Sequence, residues 1–404
     1  MAGPLSHIRV LDMSRIMAGP WSGQILADLG ADVIKIERLG AGDDTRRWGP
    51  PFLKDAQGRD TAESGYYLSV NRGKRSVEVD IAAPEGQEIV RALAARSDIL
   101  LENFKTGTLA RYGLAYEDLK KVNPNLIYCS ITGFGATGPK RDQVAYDFMI
   151  QAMGGLMSVT GERDDAPGGG PQKVGVPIVD IMTGMYATIA VLAALARRSE
   201  TGQGERIDIG MLDVSVAMLA NQAMNFLVSG KTPTRKGNKH PNIQPQDVFA
   251  VKDGHIVLAV GNDEQFRRFA EAIGRPGLAD DPRYATNVER VRNLDTLHPL
   301  ISQVLAENTL DHWLDAFGSC SVPCGPINTI PRVFEDPQVR HRQMLRRLEH
   351  PLAGEVPQVV SPMRFENAPL EFKTPPPLLG QHTEALLEEL GLLQEKAAGR
   401  SGTR

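Results

Sequence analysis

Short apolar runs alternate with helically spaced ones through the first third of the chain. "HIRVLDMS" (7–14) is an apolar run suited to a buried strand. "PWSGQILADLGA" (20–31) has helical spacing and stops at Gly30, and "DVIKIER" (32–38) again reads as a strand. Strand, helix and strand within about thirty residues form a βαβ unit, whose two strands must be parallel. The alternation continues through the strand "RSVEVDI" and the helix "APEGQEIVRALAARS", which carries Pro84 in its first turn. The strand "DILLENF", the helix "AYEDLKKVN" and the strand "LIYCSITGFG" follow. The pattern predicts an α/β domain around a doubly wound parallel sheet. No G-x-G-x-x-G follows the first strand, so a dinucleotide cofactor has no support.

The pattern then changes. From Gly133 to Pro177 glycine and proline crowd together in "GFGATGP", "MGGL" and "DAPGGGPQKVGVP", as in surface loops or loops that cover a site. Asp180 follows, and then sixteen residues, Ile181 to Ala196, without a charged residue. That run is short for a membrane span and predicts a buried core helix. "RRSETGQGERIDIGMLD" reads as a turn into a strand, and "DVSVAMLANQAMNFLVSG" (213–230) as one apolar helix. A basic, proline-containing linker, "KTPTRKGNKHPNIQPQ", leads to a hairpin, "DVFAVKDGHIVLAVG", turning at Lys252-Asp253-Gly254. Helical segments from Glu264 to Ala272 and through "TLDHWLDAFGSC" complete a smaller α+β domain ending near "VPCGPINT".

Composition narrows the function. The 404 residues exceed one ordinary core, and 42% apolar with 23% charged residues is the balance of a soluble globular protein. A net charge of -4 gives no electrostatic case for nucleic acid or a membrane surface. The N-terminus lacks the basic and apolar regions of an export signal. Three cysteines cannot pair completely, and Cys320 and Cys324 lack a second pair at metal-ligand spacing. The simplest expectation is a reduced, cytoplasmic enzyme without a metal. No G-x-S-x-G elbow and no G-x-x-x-x-G-K-[ST] loop occur.

What remains is Asp180 and a set of basic residues near strand ends. Asp180 reads either as the cap of its own helix or as a nucleophile kept where water is scarce. Arg38, Lys74, Arg75 and Arg111 stand where open α/β sheets bind ligands, and would suit phosphates; singly, each also reads as a solvated surface charge.

A longer set of motifs resembles the family III CoA-transferases. It includes "LDMSRIMAGPWSGQILADLGADVIKIER", "GDDTRRWGPPF", "YYLSVNRGKRSVEVD", "DILLENFKTGTLARYGL", "IYCSITGFGATGP", "YDFMIQAMGGLMSVTG", "GVPIVDIMTGMYA", "VPCGPINTIPRVFEDPQV" and "PPPLLGQHT". The likeness runs in order from about residue 5 to residue 393, and is strongest to the succinyl-CoA:dicarboxylate branch, which includes the glutarate enzymes. It implies CoA transfer from an acyl-CoA, such as succinyl-CoA, to a short dicarboxylic acid such as glutarate, itaconate or citramalate. Acyl-CoA is then a substrate, with no permanently bound cofactor. The Asp of the V-x-D-x-x-[ST]-G stretch, here Asp180, would be the nucleophile, passing through aspartyl-anhydride and aspartyl-CoA thioester intermediates.

Further roles follow residue by residue. CoA contacts are implied at Met17, Ala18, Arg38, Asn71, Lys74, Arg75, Asn103, Phe104 and Arg111, and Tyr146 falls close to the reacting centre. Two departures stand out. Met17 replaces a Gln that positions the reacting groups in formyl-CoA transferase. A tetraglycine lid is also missing, and "RKGNKHPNIQPQ" occupies its region. There Arg235 and His240 read either as partners for a distal substrate carboxylate or as part of a solvated basic linker.

The resemblance also implies a Rossmann-like large domain plus a small α+β domain, in a ring-shaped subunit that interlocks with a second copy as a homodimer. The expected division is 1–200 for the first part of the large domain, 201–244 for linker helices, 245–328 for the small domain and 329–404 for a segment returning to the large one. Two other readings stay open. One is a relative of α-methylacyl-CoA racemase, which needs a His/Asp acid–base pair. The other is a CoA-binding protein without catalysis.

Overall fold

The computed structural model describes residues 3–372 and 374–392. Its contacts divide the chain into two discontinuous units: Met1–Leu156, Val174–Ala223 and Arg340–Arg404 in one, Met157–Lys173 and Met224–Val339 in the other. The glycine-rich 157–173 thus belongs with the second unit. The end of the expected return segment, 393–404, lies outside the described residues.

The first unit is built on six parallel strands: β1 (Arg9–Asp12), β2 (Asp32–Glu37), β3 (Lys74–Glu78), β4 (Ile99–Glu102), β5 (Ile127–Thr132) and β6 (Glu205–Gly210). Their order across the sheet is β3-β2-β1-β4-β5-β6. The chain therefore winds outward from β1 to β3, returns to the middle, and winds the other way from β4. That reversal opens a crevice beyond the carboxyl ends of β1 and β4. β6 falls within 201–244, the stretch expected to hold linker helices.

Register explains the near-continuous apolar runs. Leu11 on β1 pairs with Ile34 and Leu100 and faces one layer, where Val90 and Leu93 of α2 (Pro84–Ala95) and Leu119 of α3 (Tyr116–Val122) cover it. Val10, Val33 and Ile99 face the other layer, under Leu26 and under Ala187 and Val191. Those belong to α1 (Ala18–Asp28) and α5 (Ile178–Thr201). Strands covered on both faces have no polar side to alternate with. The returning chain lies along β3, where His382 N–H donates to the Ser76 carbonyl at 2.9 Å.

Two expectations change. α5 is long and apolar enough by composition to cross a bilayer, yet only one stripe is buried, including Val179, Thr183, Ala187 and Val191. Met185, Tyr186 and Ile189 stand exposed, Ile189 by 57%. The single helix expected over 213–230 is two, α6 (Met211–Met218) and Ala220–Ser229, broken where Ala220 adopts φ 42°. A left-handed residue cannot continue a right-handed helix.

The second unit carries the expected hairpin, β7 (Gln246–Val251) against β8 (Gly254–Ala259), with β9 (Cys324–Pro326) added antiparallel to β8. α7 (Asp263–Ala272), α8 (Leu294–Leu305) and α9 (Leu310–Ser319) close its core around Phe249, Ile256, Phe266, Leu297 and Phe317. This is an α+β unit.

Candidate active site

The loop after β1 is tied down from beneath. Lys35 Nζ donates to the Ser14 carbonyl at 2.8 Å, and Lys74 Nζ to the Pro20 carbonyl at 2.9 Å. Asp43 accepts the Ile16 N–H, and Asn103 clasps Arg15 from both sides, accepting its N–H at 2.8 Å and donating to its carbonyl at 2.7 Å. These bonds hold Ile16 at φ 73°, a left-handed conformation that costs a β-branched residue about 1–3 kcal/mol. Such a loop presents Met17 and Ala18, the entry to α1, in one fixed arrangement.

α1 fixes that loop against α5. A Cβ on Gly184 would stand 2.5 Å from the Ala18 carbonyl oxygen, so glycine lets the two helices meet backbone to side chain. One turn further, the Ser22 and Thr188 hydroxyls bond at 2.9 Å. The N-terminus of α5 is thereby pinned beside Met17 and Ala18.

Asp180 sits in the first turn of α5 but does not cap it. Pro177 occupies the cap position, and Asp147, in the first turn of α4 (Asp147–Met153), accepts the Val179 N–H at 2.7 Å and the Asp180 N–H at 3.2 Å. Among the described residues no hydrogen bond or ion pair reaches the Asp180 carboxylate, which is 9% exposed. Burial, and secondarily the charge of Asp147, push its carboxyl up to about 7. The phenol of Tyr66, raised to about 12 by burial and then by Asp180 and Asp147, completes this apolar, anionic corner.

Asp180 opens into a cavity of about 200 Å³ that also takes in Met17, Ala18, Asn103, Phe104, Thr132 and Tyr146. A second cavity, about 440 Å³, lies over the ends of β1, β2 and β3 and is bordered by Ile36, Arg38, Leu39 and Val79. Arg15 and Phe104 border both. The pair therefore runs from a strand-end crevice edged by Arg38 to a buried carboxylate. No group of His, Cys, Asp and Glu among the described residues is arranged to hold a metal ion.

Comparison with known proteins decides what such an arrangement serves. The sequence pattern of CoA-transferase family III matches residues 5–383. This chain is a family III CoA-transferase. It is 48% identical over 395 residues to succinate–glutarate CoA-transferase of Agrobacterium fabrum, spanning 98% of this chain and 97% of that one. It is 41% identical to human succinyl-CoA:glutarate CoA-transferase, over 98% of this chain and 88% of the human one. Its fold matches the crystal structure of a CAIB/BAIF family protein from Brucella suis, with TM-score 0.84 and 47% identity over 96% of this chain and all of that one.

In this transferase Asp180, Met17, Ala18, Asn103, Phe104 and Tyr146 share one cavity, and Arg38 stands at the neighbouring one with its guanidinium on Asp44. Other residues are placed elsewhere. Lys74 is fully buried, bonded to Asp12, Pro20 and Asn71. Asn71 spends its amide on Lys74 and the Tyr67 carbonyl, and Arg75 is paired with Asp32 and Glu389. These three brace the sheet edge and the loop beneath the cavity. Arg111 lies in the turn Leu109–Tyr112 with its guanidinium 5.7 Å from the Tyr112 ring centroid, and borders neither cavity. Arg235 and His240 lie in the second unit, where Arg235 grips Asp164 and the Ser158 carbonyl, and His240 Nδ1 accepts the Asn242 and Ile243 N–H groups.

Asp147, Tyr66, Arg15 and Gln151 are site residues that patterning did not single out. Asp147 follows Tyr146 in "AYDF" and carries a sequence signal, an acid opening a helix, but that signal points to its own helix rather than to α5.

Proposed function

We propose that this transferase moves CoA from succinyl-CoA to a short dicarboxylic acid, with glutarate first and itaconate and citramalate as further candidates, and that Asp180 is the nucleophile. The unpaired, buried carboxylate of Asp180 at the wall of its cavity is the observation that carries the reading. Relatives named for succinate and glutarate support the choice of donor and acid.

One Asp180 oxygen attacks the thioester carbonyl, and the C–S bond breaks to release CoA thiolate and leave an acyl–aspartyl anhydride. The thiolate returns to the aspartyl carbonyl, forming an aspartyl-CoA thioester and freeing succinate. The acceptor carboxylate then attacks that thioester, expelling the thiolate and forming a second anhydride. Attack of the thiolate on the acceptor's carbonyl yields the new acyl-CoA and restores Asp180. One thioester replaces another, so the exchange is close to thermoneutral and the main demand is to keep water from the anhydride. A carboxyl held near 7 is substantially ionised at neutral pH, and poor solvation leaves that anion reactive.

In this reading CoA lies along the larger cavity, with Arg38 toward its phosphates and the pantetheine passing Phe104 and Met17 toward Asp180. The subunit works as a ring interlocked with a second copy, which would cover exposed apolar side chains such as Met185, Tyr186 and Ile189. Three unpaired cysteines, Cys129, Cys320 and Cys324, suit a reducing, cytoplasmic setting.

The test incubates the protein with succinyl-CoA and a panel of acids, then adds hydroxylamine and maps the products by mass spectrometry. CoA esters of dicarboxylates and a hydroxamate on Asp180 are expected; transfer with Asp180 left unmodified under every condition would overturn the nucleophile. The racemase reading needs a histidine opposite Asp180, and among the described residues none borders its cavity. Deuterium wash-in at Cα of a branched acyl-CoA would restore it.

A further inference from the structure

α5 begins with a difficulty. Pro177, at the cap position, has no side-chain acceptor to offer the first-turn N–H groups. The nearest acid in sequence is Asp180, and a carboxylate turned back onto its own helix would be unavailable to substrate. The structure supplies an acceptor from another helix: Asp147 Oδ1 takes the N–H groups of both Val179 and Asp180. Its second oxygen, Oδ2, is fixed by Gln151 Nε2 at 2.6 Å, one turn along α4. Gln151 is fully buried, and its Oε1 accepts the Val174 N–H at 2.9 Å. A continuous chain of bonds therefore runs from Val174 through Gln151 and Asp147 to the backbone of the reacting residue.

We propose that Asp147, oriented by Gln151, is a positioning residue for CoA transfer: it caps α5 in place of Asp180, leaves that carboxylate free for the thioester, and places a fixed negative charge beside it. The proposal rests on Asp180 being the nucleophile and adds how its reactivity is set.

The surroundings single out Asp147 as the charge concerned. From α1 the ionisable group is Asp28, already paired with Arg72 at 2.7 Å. α6 contributes Asp213, β5 contributes Tyr128 and Cys129, and β6 contributes Glu205, Arg206 and Asp208. Arg15, Lys105, Arg141 and Tyr146 border the cavity, and Tyr66 lies within the field of Asp180. Of all these, Asp147 is the group whose charge raises Asp180 beyond what burial does. A neighbouring anion disfavours a second one, so its removal makes Asp180 ionise at lower pH.

Asp147→Asn keeps an amide oxygen on the α5 N–H groups while the charge, and with it the bond from Gln151 Nε2, is gone. The acid limb of kcat against pH should move down by at least about half a pH unit relative to the native enzyme. Asp147→Ala removes the cap as well, and kcat should fall at least tenfold while KM for succinyl-CoA stays within about threefold. Gln151→Leu should give an intermediate loss of kcat. The pH dependence of carbodiimide labelling of Asp180, read by peptide mass spectrometry, reports the same titration without turnover and serves if a variant is too slow to assay. An unmoved acid limb and labelling midpoint in Asp147→Asn, or native kcat in Asp147→Ala, would overturn the proposal. A native enzyme that transfers no CoA, or transfers it with Asp180 unmodified, would instead overturn the reading of Asp180 beneath it.

Discussion

Asp12 and Asp180 are both buried carboxylates of the first unit, and their surroundings are opposite. Asp12 closes β1 with both oxygens occupied, one by the Ser14 N–H at 3.0 Å and its hydroxyl, the other by the Lys74 ammonium at 2.8 Å. Burial alone would raise its carboxyl, but Lys74 and Lys35 together hold it below the ordinary range. Asp180 has comparable burial and, among the described residues, no cation paired with it, and rises to about 7. Desolvation is common to both sites, and the difference is whether a counter-charge was packed in with the acid. A neutralised acid can act as a beam under a loop. An acid left alone is costly to ionise, which is also what makes its anion reactive.

Asp180→Asn tests the contrast between the two acids most directly. Turnover should fall by at least about a thousandfold, while binding of CoA measured by calorimetry changes little; retained turnover would remove Asp180 from the chemistry. The same variant sharpens the contrast in stability. Because the folded-state pKa of Asp180 is raised, its stabilising contribution is full below the unfolded value of 3.8 and is lost as pH rises through about 7. Asp180→Asn should therefore be more stable than the native protein at pH 8, by up to about 4 kcal/mol, and close to it at pH 4. Asp12 runs the other way: its contribution is present at neutral pH and lost as pH falls through its lowered value, in acid.

Lys74→Met would turn Asp12 into an unpaired buried charge and should cost about 3–5 kcal/mol, read as the shift of the urea midpoint. A loss under about 1 kcal/mol would mean that the pair does not brace the loop. Gly184→Ala should be milder, about 1–3 kcal/mol, because the new methyl meets the Ala18 carbonyl and pushes α1 from α5. Its sharper readout is a kcat loss larger than the loss in CoA affinity. Asn103→Ala gives the smallest effect. It removes two bonds to Arg15 worth about 0.5 kcal/mol each, and should raise KM for the acyl-CoA several-fold with only a small drop in melting temperature.

How much of this was legible beforehand differs between regions. The four central strands of the first unit, β1, β2, β4 and β5, could be read because each is covered on both faces and so leaves an apolar run, while the edge strands β3 and β6 alternate apolar with polar residues. The hairpin of the second unit was marked by its own turn residues, Lys252-Asp253-Gly254. The break at Ala220 and the half-exposed face of α5 could not be read, since the apolar pattern is the same for a straight, buried helix. At the site, Asp180 stands out because no charged residue follows it for sixteen residues. Lys74 and Arg75 looked like ligand-binding cations because a basic residue at a strand end reads the same whether it meets a phosphate or an aspartate.

By itself, the sequence determined the local periods, the sheet-forming runs, the turns and the isolation of one acid, all of which depend on neighbours within a few residues. Only the tertiary structure decided which charges are neutralised. Asp12 and Lys74 are 62 residues apart and Asp147 and Asp180 are 33 apart. Electrostatic energy depends on separation in space and on access to water, and neither is written in the spacing along a chain.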